Sequence, residues 1–318
     1  MKKSCFLLSV LPLSAALDAA ACDLCAVYSA PLAHHVHDAG FHMSLAEQFT
    51  HYGTIQVDGE KVPNEFDQKL DSSISQVAVG YQFTDRAGVQ FTLPVIYRSF
   101  RRLEEGVVQS GTESGIGDVA LIGNYVVWRR DREDWSVAWQ VLGGVKFPTG
   151  DSDRLHEELE EGDEEPGGEE SAVHGHDLAL GSGSYDGIVG TDVYARWRRL
   201  FFSAGMQYAI RSRGDFDYKY ANDLTWSGGP GVHVIFTEDW IVGLQANVSG
   251  EYKQNDELGD EEADDTALTA VYLGPQATVT WKGRLTGEVS VAWPVHLDNS
   301  ALQIVPDYRV IGAFSWRF

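Results

Sequence analysis

The chain has 318 residues, 11% aromatic side chains and a formal net charge of −23. Such an acidic protein repels phosphates, which argues against nucleic acid as a partner. Outside the first twenty positions no apolar run reaches 18 residues, so a helical membrane protein is excluded, whereas a membrane barrel with alternating strands is not.

Residues 1–21 predict a signal peptide. Two lysines precede an apolar stretch from Phe6 to Leu13, and the alanines at 19–21 offer a cleavage site. Cleavage there would export the protein and begin the mature chain at Cys22. A cysteine in that place also suits a lipoprotein, but an alanine stands where lipoprotein signals carry a larger apolar residue, so we favour ordinary cleavage.

A short segment, residues 22–39, precedes the first predicted strand and carries an unusual set of side chains. Cys22 and Cys25 form a CxxC pair, and three histidines follow at His34, His35 and His37. In an oxidising compartment such a pair most often closes as a disulfide. Metal ligation and redox exchange remain alternatives, because thiolates and imidazoles also bind zinc or copper. The segment could also reach into a barrel as a plug.

From residue 40 to residue 318 the chain repeats an alternation of apolar and polar side chains, which is typical of strands with two different faces. For example, Val289, Val291 and Trp293 share one face, while Glu288 and Ser290 share the other. The predicted strands lie at 40–53, 70–84, 86–98, 115–129, 134–148, 185–197, 200–212, 222–236, 239–252, 267–281, 284–297 and 304–318.

Short turns and long loops strictly alternate between these twelve segments. This predicts an all-β fold, namely a 12-stranded antiparallel up-and-down transmembrane β-barrel of the bacterial outer membrane. An even strand number places both termini in the periplasm and the long loops outside the cell. Aromatic residues cluster at the strand ends, as expected at two membrane interfaces, so outer-membrane lipid is an expected partner.

The C-terminal strand carries Phe314, Trp316 and Phe318 on one face and ends in phenylalanine. This pattern is typical of the signal that the barrel assembly machinery recognises, so we expect that machinery as a second partner. The oligomeric state is not indicated by the sequence.

The face opposite the lipid is strongly polar, and twelve strands enclose a narrow lumen. We expect charged side chains there to set solute selectivity. The candidates are Asp118, Lys146, Asp192, Arg196, Arg211, Glu288 and Arg309. The alternative is that these charges pair with one another and merely fill the interior.

Two predicted extracellular loops, 149–184 and 253–266, hold most of the charge. Residues 151–177 contain twelve acids and one base, hence −11, and residues 253–265 contain seven acids and one base, hence −6. We expect the first loop to be solvated and disordered. A divalent metal site is the alternative, because His156, His174 and His176 lie among its carboxylates.

No spacing of Ser, His and Asp resembles a catalytic triad, and no glycine loop precedes a helix that could bind phosphate. The sequence therefore predicts a protein that is not an enzyme and has no cofactor, apart from the possible divalent metal.

The runs 114–119, 144–151, 181–186 and 228–231 (SGIGDV, GVKFPTGD, GSGSYD and GGPG) resemble, in this order, the phenol-degradation MetA-pathway family of outer-membrane transporter-like β-barrels. The resemblance covers about residues 70–318. It implies the passage of small solutes, including aromatic or hydrophobic compounds.

The leading functional prediction is an outer-membrane, porin-like channel or transporter that passes small-molecule solutes through a narrow polar lumen. A metal-binding or redox-linked surface protein is the second, and a purely structural barrel is the third.

Overall fold

The computed structural model describes residues 39–104, 106–161 and 171–318. The predicted signal peptide and the cysteines and histidines at Cys22, Cys25, His34, His35 and His37 lie outside the described residues. Within these ranges no helix is long and apolar enough to cross a membrane.

Strands dominate the described residues, and two very short helices, α1 (Glu157–Glu161) and α2 (Gly175–Leu178), interrupt one loop. In chain order the strands are β1 (Gly40–Val57), β2 (Glu60–Val62), β3 (Lys69–Gln82), β4 (Ala87–Glu104), β5 (Val107–Ile116), β6 (Val119–Asp131), β7 (Trp135–Phe147), β8 (Asp186–Trp197), β9 (Leu200–Ile210), β10 (Tyr218–Lys219), β11 (Asp223–Phe236), β12 (Trp240–Lys253), β13 (Asp256–Leu258), β14 (Glu261–Ala263), β15 (Leu268–Trp281), β16 (Leu285–Asn299) and β17 (Leu302–Arg317).

The sheet closes on itself because the last strand pairs with the first. β17 and β1 run antiparallel from His42↔Arg317 to Val57↔Leu302. The remaining strands of the wall pair with their neighbours in chain order. β5 and β6 are separated by a break at residues 117–118, and both pair with β4, so together they occupy one position in the wall. The wall therefore has twelve antiparallel positions, which confirms the predicted barrel.

Alternation along each strand separates the two faces of the wall. On β3, Gln76 and Ala78 are buried inside, while Val79 and Tyr81 are exposed outside. Period-two alternation places every second side chain on the same face, so one polar and one apolar set produce a polar lumen and an apolar outer surface.

Short turns lie at one end of the barrel, which we call the short-turn end, and longer connections lie at the other, the long-loop end. Tryptophans on the outer face mark the short-turn end, where Trp240 pairs with Trp281 across two strands. The C-terminal aromatics of the predicted assembly signal are also exposed on this surface, at Phe314, Trp316 and Phe318.

The long connections contain more regular structure than the sequence predicts. The predicted loop 99–114 is a hairpin in which β4 continues to Glu104 and returns as β5. Two other connections supply a small separate sheet of β10, β13 and β14. Backbone pairing and local ion pairs stabilise these loops, and the strand periodicity used for the prediction does not detect them.

Candidate functional site: lumen, lid segment and wall groove

A chain of alternating charges lies inside the barrel near the long-loop end. Lys146 Nζ is 2.7 Å from Asp118 Oδ2 and 2.7 Å from Asp186 Oδ2. Arg211 then joins Asp186 to Asp223, with N–O distances of 2.8 Å to each. All five side chains are buried. Each carboxylate therefore contacts a cation, and the network joins the strands β6, β7, β8, β9 and β11 at their ends.

A second buried network lies on the other side of the lumen. Arg309 Nη2 is 2.9 Å from Glu251 Oε1, and the Tyr272 hydroxyl donates to the same oxygen over 2.7 Å. The guanidinium of Arg309 also lies 4.5 Å from the centre of the Tyr272 ring, in a cation–π arrangement. These contacts connect β12, β15 and β17.

The predicted selectivity residues therefore fall into different environments. Asp118, Lys146 and Arg211 share the first network, and Arg309 belongs to the second. The two remaining carboxylates, Asp192 and Glu288, are half-buried on inward positions of β8 and β16. The side-chain amide of Gln140 donates to Asp192 over 3.2 Å.

Arg196 lies at the short-turn end, where it donates hydrogen bonds to the backbone carbonyls of Arg132, Glu133 and Arg198. Its guanidinium stabilises a turn as well as facing the lumen.

The sequence reasoning missed the acids that pair with these bases. Asp186 follows the GSGS run, and Glu251 continues the inward series of Gln245 and Asn247 on β12. Continuing the strand alternation from Asn247 through Ser249 to Glu251 would have placed Glu251 in the lumen. Asp223 is the first residue of β11, and at a strand end the alternation does not show which face a side chain takes. Only the structure shows that Asp223 contacts Arg211.

The loop between β7 and β8 folds into the barrel mouth. Its second described part, residues 171–184, is called the lid segment here. Leu180 packs on Ile74 and Ile96 of the inner wall. Three further apolar side chains of the lid segment join wall residues in a larger cluster, whose members are Ile55, Leu70, Phe100, Ala172, Val173, Leu178 and Ile304. The lid segment thus covers part of the lumen at the long-loop end.

Wall side chains also hold the backbone of the lid segment. Arg98 of β4 donates to the carbonyls of Asp177 and Ala179. Gln68 accepts the N–H of Ala172 over 3.0 Å. Backbone groups buried in a loop need such partners, so these contacts favour the inserted conformation.

Two stacked histidines of the lid segment contact carboxylates of both acidic loops. The rings of His174 and His176 are 5.6 Å apart and nearly parallel. His174 Nδ1 is 3.2 Å from Asp265 Oδ2 of the β14–β15 connection, and His176 Nδ1 is 3.1 Å from Glu158 Oε1 of α1. The two acidic loops are therefore joined through this pair.

The surrounding carboxylates change the titration of this cluster. Burial alone would lower the pKa of His176, but Asp177 and Glu158 outweigh it, and the pKa is raised well above its ordinary value. Burial alone would raise the pKa of Asp265, but His174 and His176 outweigh it and lower the pKa. Charged His176 and ionised Asp265 thus stabilise each other in the inserted loop.

The expectation that loop 149–184 is disordered is wrong for its described parts. Leu155, Val173, Leu178 and Leu180 are buried. Among the acids that predicted a solvated loop, Glu157 pairs with a base of the wall, and Glu158 and Asp177 lie close to His176. The base is Arg102 of β4, which is 2.9 Å from a Glu157 oxygen. Pairing offsets the like-charge repulsion that high acidity implies.

The metal hypothesis for this loop gains no geometric support in the described residues. His156 lies against the Phe216 ring, 5.6 Å between centroids, while His174 and His176 stack on each other elsewhere. Within the ranges given above, no three His, Cys, Asp or Glu side chains form a group suited to a metal ion.

Inter-strand pairing is interrupted at two neighbouring places in the wall. The β11–β12 ladder runs to Gly228↔Val248, skips two positions and resumes at Gly231↔Gln245. The β15–β16 ladder skips the positions of Gly274 and the following proline in the same way. Pro230 and Pro275 lie in these gaps and have no N–H to donate, which accounts for lost ladder bonds.

Glycine allows adjacent backbones to touch at both gaps. A Cβ on Gly274 would lie 1.7 Å from the Val291 carbonyl oxygen, and one on Gly229 would lie 2.0 Å from the Ala246 oxygen. No other residue fits there without moving a strand.

An apolar groove lies over the two gaps. It encloses about 660 Å³ and is lined by Pro230, Gly231, Val232, Leu244, Gln245, Ala246, Leu273, Gly274, Pro275 and Trp293. Its large apolar side chains are exposed on the outer face of the barrel. Gln245 is buried behind them and donates to Ser203 Oγ and to the Gly229 carbonyl, across the interrupted ladder. We call this feature the wall groove.

Comparison with solved structures places the fold among outer-membrane barrels. The COG4313 outer-membrane channel from Pseudomonas putida F1 aligns with a TM-score of 0.62 and 14% identity over 91% of this chain and 99% of that one. The β domain of the Bordetella autotransporter BrkA aligns with a TM-score of 0.44 and 11% identity over 88% of this chain and 100% of that one. No family model matches the chain, and no curated protein matches its sequence. The resemblance to the MetA-pathway family therefore remains a prediction.

Proposed function

We propose that this protein is an outer-membrane channel that passes small apolar or aromatic solutes, and that the wall groove is their route through the barrel wall. The long-loop end would face the outside of the cell and both termini the periplasm. The wall groove is the observation that carries this proposal.

Three features of the described residues favour a lateral route for apolar solutes through the wall. They argue against an axial route for polar solutes through the lumen. The lid segment covers part of the mouth, buried ion pairs line the lumen, and the groove offers an apolar surface directly to lipid. Apolar solutes partition into the membrane, and a groove lined by Leu244, Leu273 and Trp293 would collect them there.

The wall is also weakened at the groove. Each skipped ladder position lacks backbone hydrogen bonds, and Gln245 replaces part of the loss with side-chain bonds. Rotation of that one side chain would free the β11–β12 gap. The fold shared with a protein described as an outer-membrane channel agrees with this proposal.

A disulfide lock across the groove tests the route. Val232 and Leu244 are directly paired on the outer face of β11 and β12, so Val232→Cys with Leu244→Cys would link the two strands. Phe91→Cys with Leu121→Cys, a paired position between β4 and β6, is the matched control lock.

Uptake of N-phenyl-1-naphthylamine into Gram-negative cells producing the full chain is the readout, because a lipopolysaccharide leaflet slows the entry of such apolar probes. The oxidised groove lock should reduce uptake to the level of cells without the protein, and reductant should restore it. The control lock should leave uptake unchanged. Equal uptake with both locks would reject the lateral route, and no uptake with the wild type would reject the channel.

A further inference from the structure

Two neighbouring turns at the short-turn end are rich in arginine. Residues 129–134, around the β6–β7 turn, and 196–199, around the β8–β9 turn, hold six of the chain's 24 lysines and arginines against three acids, hence +3. The other charged turns at this end, 84–86, 237–239 and 282–284, hold three bases and three acids, hence zero. We call the six bases the arginine patch, and its members are Arg129, Arg130, Arg132, Arg196, Arg198 and Arg199.

Hydrogen bonds between the two turns make the arginine patch one surface. The guanidinium of Arg196 donates to the carbonyls of Arg132, over 3.2 Å, and Glu133, over 3.4 Å. The backbone N–H of Arg198 donates to the carbonyl of Asp134 over 2.5 Å. The pairing of β7 with β8 holds the two turns side by side, so arginines about 65 residues apart in the sequence face the same region of solvent.

Much of the charge of the arginine patch is not neutralised by acids. Arg129 is 2.7 Å from an Asp131 oxygen, and Arg198 is 3.5 Å from an Asp134 oxygen. Among the residues that the structure describes, three exposed members have no carboxylate within ion-pair distance, namely Arg130, Arg132 and Arg199. Arg132 and Arg199 each donate one bond to a backbone carbonyl, which leaves further N–H groups for an anion. The planar guanidinium fits two phosphate oxygens at once.

The arginine patch lies at the height of lipid headgroups. The outward face of β7 runs from Phe147 at the long-loop end to Trp135 at the short-turn end, which is about 40 Å along the strand. With a tilt of roughly 40° the height difference is about 30 Å, so an apolar band about 25 Å tall ends close to Trp135. Trp135 pairs with Trp197, and tryptophans prefer such an interface.

Tryptophans adjoin the arginines on the outer face. Arg130 follows Trp128 by two residues on the same face of β6, so its side chain lies beyond the interface, on the water side. The guanidinium of Arg198 lies 5.6 Å from the centre of the Trp197 ring. Rings beside the acyl chains and guanidinium groups beyond them match the two parts of a phospholipid.

We propose that the arginine patch binds anionic phospholipid headgroups, such as phosphatidylglycerol, in the leaflet at the short-turn end. A cluster of bases next to a membrane-spanning segment attracts anionic lipid. Lipid is the partner that the position favours, because the bases lie just beyond the interfacial tryptophans, where headgroups are always within reach. With the orientation proposed above, this leaflet is the inner one of the outer membrane. The binding requires no transport of solute.

Quenching of tryptophan fluorescence by brominated lipids tests this binding. The full mature chain is refolded into phosphatidylcholine vesicles that contain increasing fractions of brominated phosphatidylglycerol or brominated phosphatidylcholine, at low salt. Four of the nine tryptophans adjoin the arginine patch and report lipid bound there, namely Trp128, Trp135, Trp139 and Trp197. Both leaflets have the same composition, so the result does not depend on orientation.

The test variant combines Arg130→Gln, Arg132→Gln and Arg199→Gln. The matched control combines Arg86→Gln, Lys282→Gln and Arg284→Gln, which removes the same charge from the exposed, neutral turns of the same end. Heat-modifiable gel mobility checks that both variants fold.

The wild type and the control should bind phosphatidylglycerol about fivefold more strongly than phosphatidylcholine, since a base near the membrane surface has an effect of this order. The test variant should lose most of this preference, and about 1 M salt should remove it from the wild type by screening. A wild type without preference would reject lipid binding and favour an acidic protein as the partner. Equal preference in the test variant and the control would show that the arginine patch is not the site. A barrel that binds the lipid but fails in the uptake experiment would reject only the proposed function.

Discussion

Lys146 is the residue on which the first lumen network depends. It lies between two buried carboxylates, 2.7 Å from each, and is itself only 1% exposed. Burying charges is unfavourable unless they pair, so removal of the lysine leaves uncompensated charge in the wall.

We therefore expect Lys146→Met to lower the free energy of unfolding by about 3–5 kcal/mol. Urea unfolding of the micelle-bound barrel, followed by tryptophan fluorescence, measures the change. Lys61→Met, at an exposed position of β2, is the control and should be within about 0.5 kcal/mol of the wild type. Equal stability of both variants would contradict a structural role for the network.

Glycine at position 274 is required by the approach of β16. Because a Cβ would lie 1.7 Å from the Val291 oxygen, Gly274→Ala forces the two strands apart. We expect a loss of about 1–3 kcal/mol in the free energy of unfolding, as for other overpacked positions.

Gly287→Ala is the matched control, because nothing lies within 4 Å of its Cβ position. The same unfolding measurement should show little change for that variant. If Gly274→Ala is equally harmless, the two strands are not in close contact at the groove.

At the scale of elements, we expect the stability of the lid segment to depend on pH through His176. The groups that face His176 are His174 and Asp177 in its own segment, Glu158 from α1, Tyr218 from β10 and Asp265 from the β14–β15 connection. A histidine whose folded pKa is raised stabilises the inserted loop fully below its unfolded pKa, and that stability is lost as pH rises through the folded value.

We thus expect amide exchange in residues 171–184, corrected for its intrinsic pH dependence, to accelerate as pH rises through the raised pKa of His176. The pKa of Asp265 is lowered, so its contribution to the stability of the inserted loop has the opposite pH dependence. That contribution is lost only as pH falls through the lowered pKa. His176→Gln should remove the alkaline acceleration, while peptides from β16 should show none in either protein. Exchange that is independent of pH in the wild type would contradict the role of the pair.

The other elements differ in how far the sequence predicts them. The alternation on β3 or β12 is a local pattern, and strand positions read from it agree with the structure within a few residues. The hairpin of β4 and β5, the small sheet of β10, β13 and β14, and the inserted lid segment were not predicted. Their stability comes from contacts such as Arg98 with the Ala179 carbonyl, between residues far apart in the sequence.

At the scale of the whole molecule, negative charge is concentrated at the long-loop end. The two acidic loops carry −17 of the net −23, counted over residues 151–177 and 253–265. Many of these acids pair locally, but the sum remains strongly negative and attracts cations toward this end.

Any ionic current through the reconstituted protein should therefore prefer cations, and the preference should weaken at high salt because the charges are screened beyond about 3 Å at 1 M. Replacing Asp260, Glu261, Glu262 and Asp264 by Asn or Gln should reduce the preference at low salt. Reversal potentials in a planar bilayer measure both effects. A preference that persists unchanged at 1 M salt would assign selectivity to the lumen instead.

The sequence alone determined the twelve-position barrel, its polar interior and its apolar outer surface, because alternation within a strand specifies both faces without reference to any other strand. It also placed Asp118, Lys146, Arg211 and Arg309 inside. Only the tertiary structure decided that these charges meet buried partners, that the lid segment inserts, that two ladder gaps coincide in one groove and that the arginines of two turns form one patch. Those outcomes depend on register and on loop packing between distant residues, and local periodicity carries no information about either.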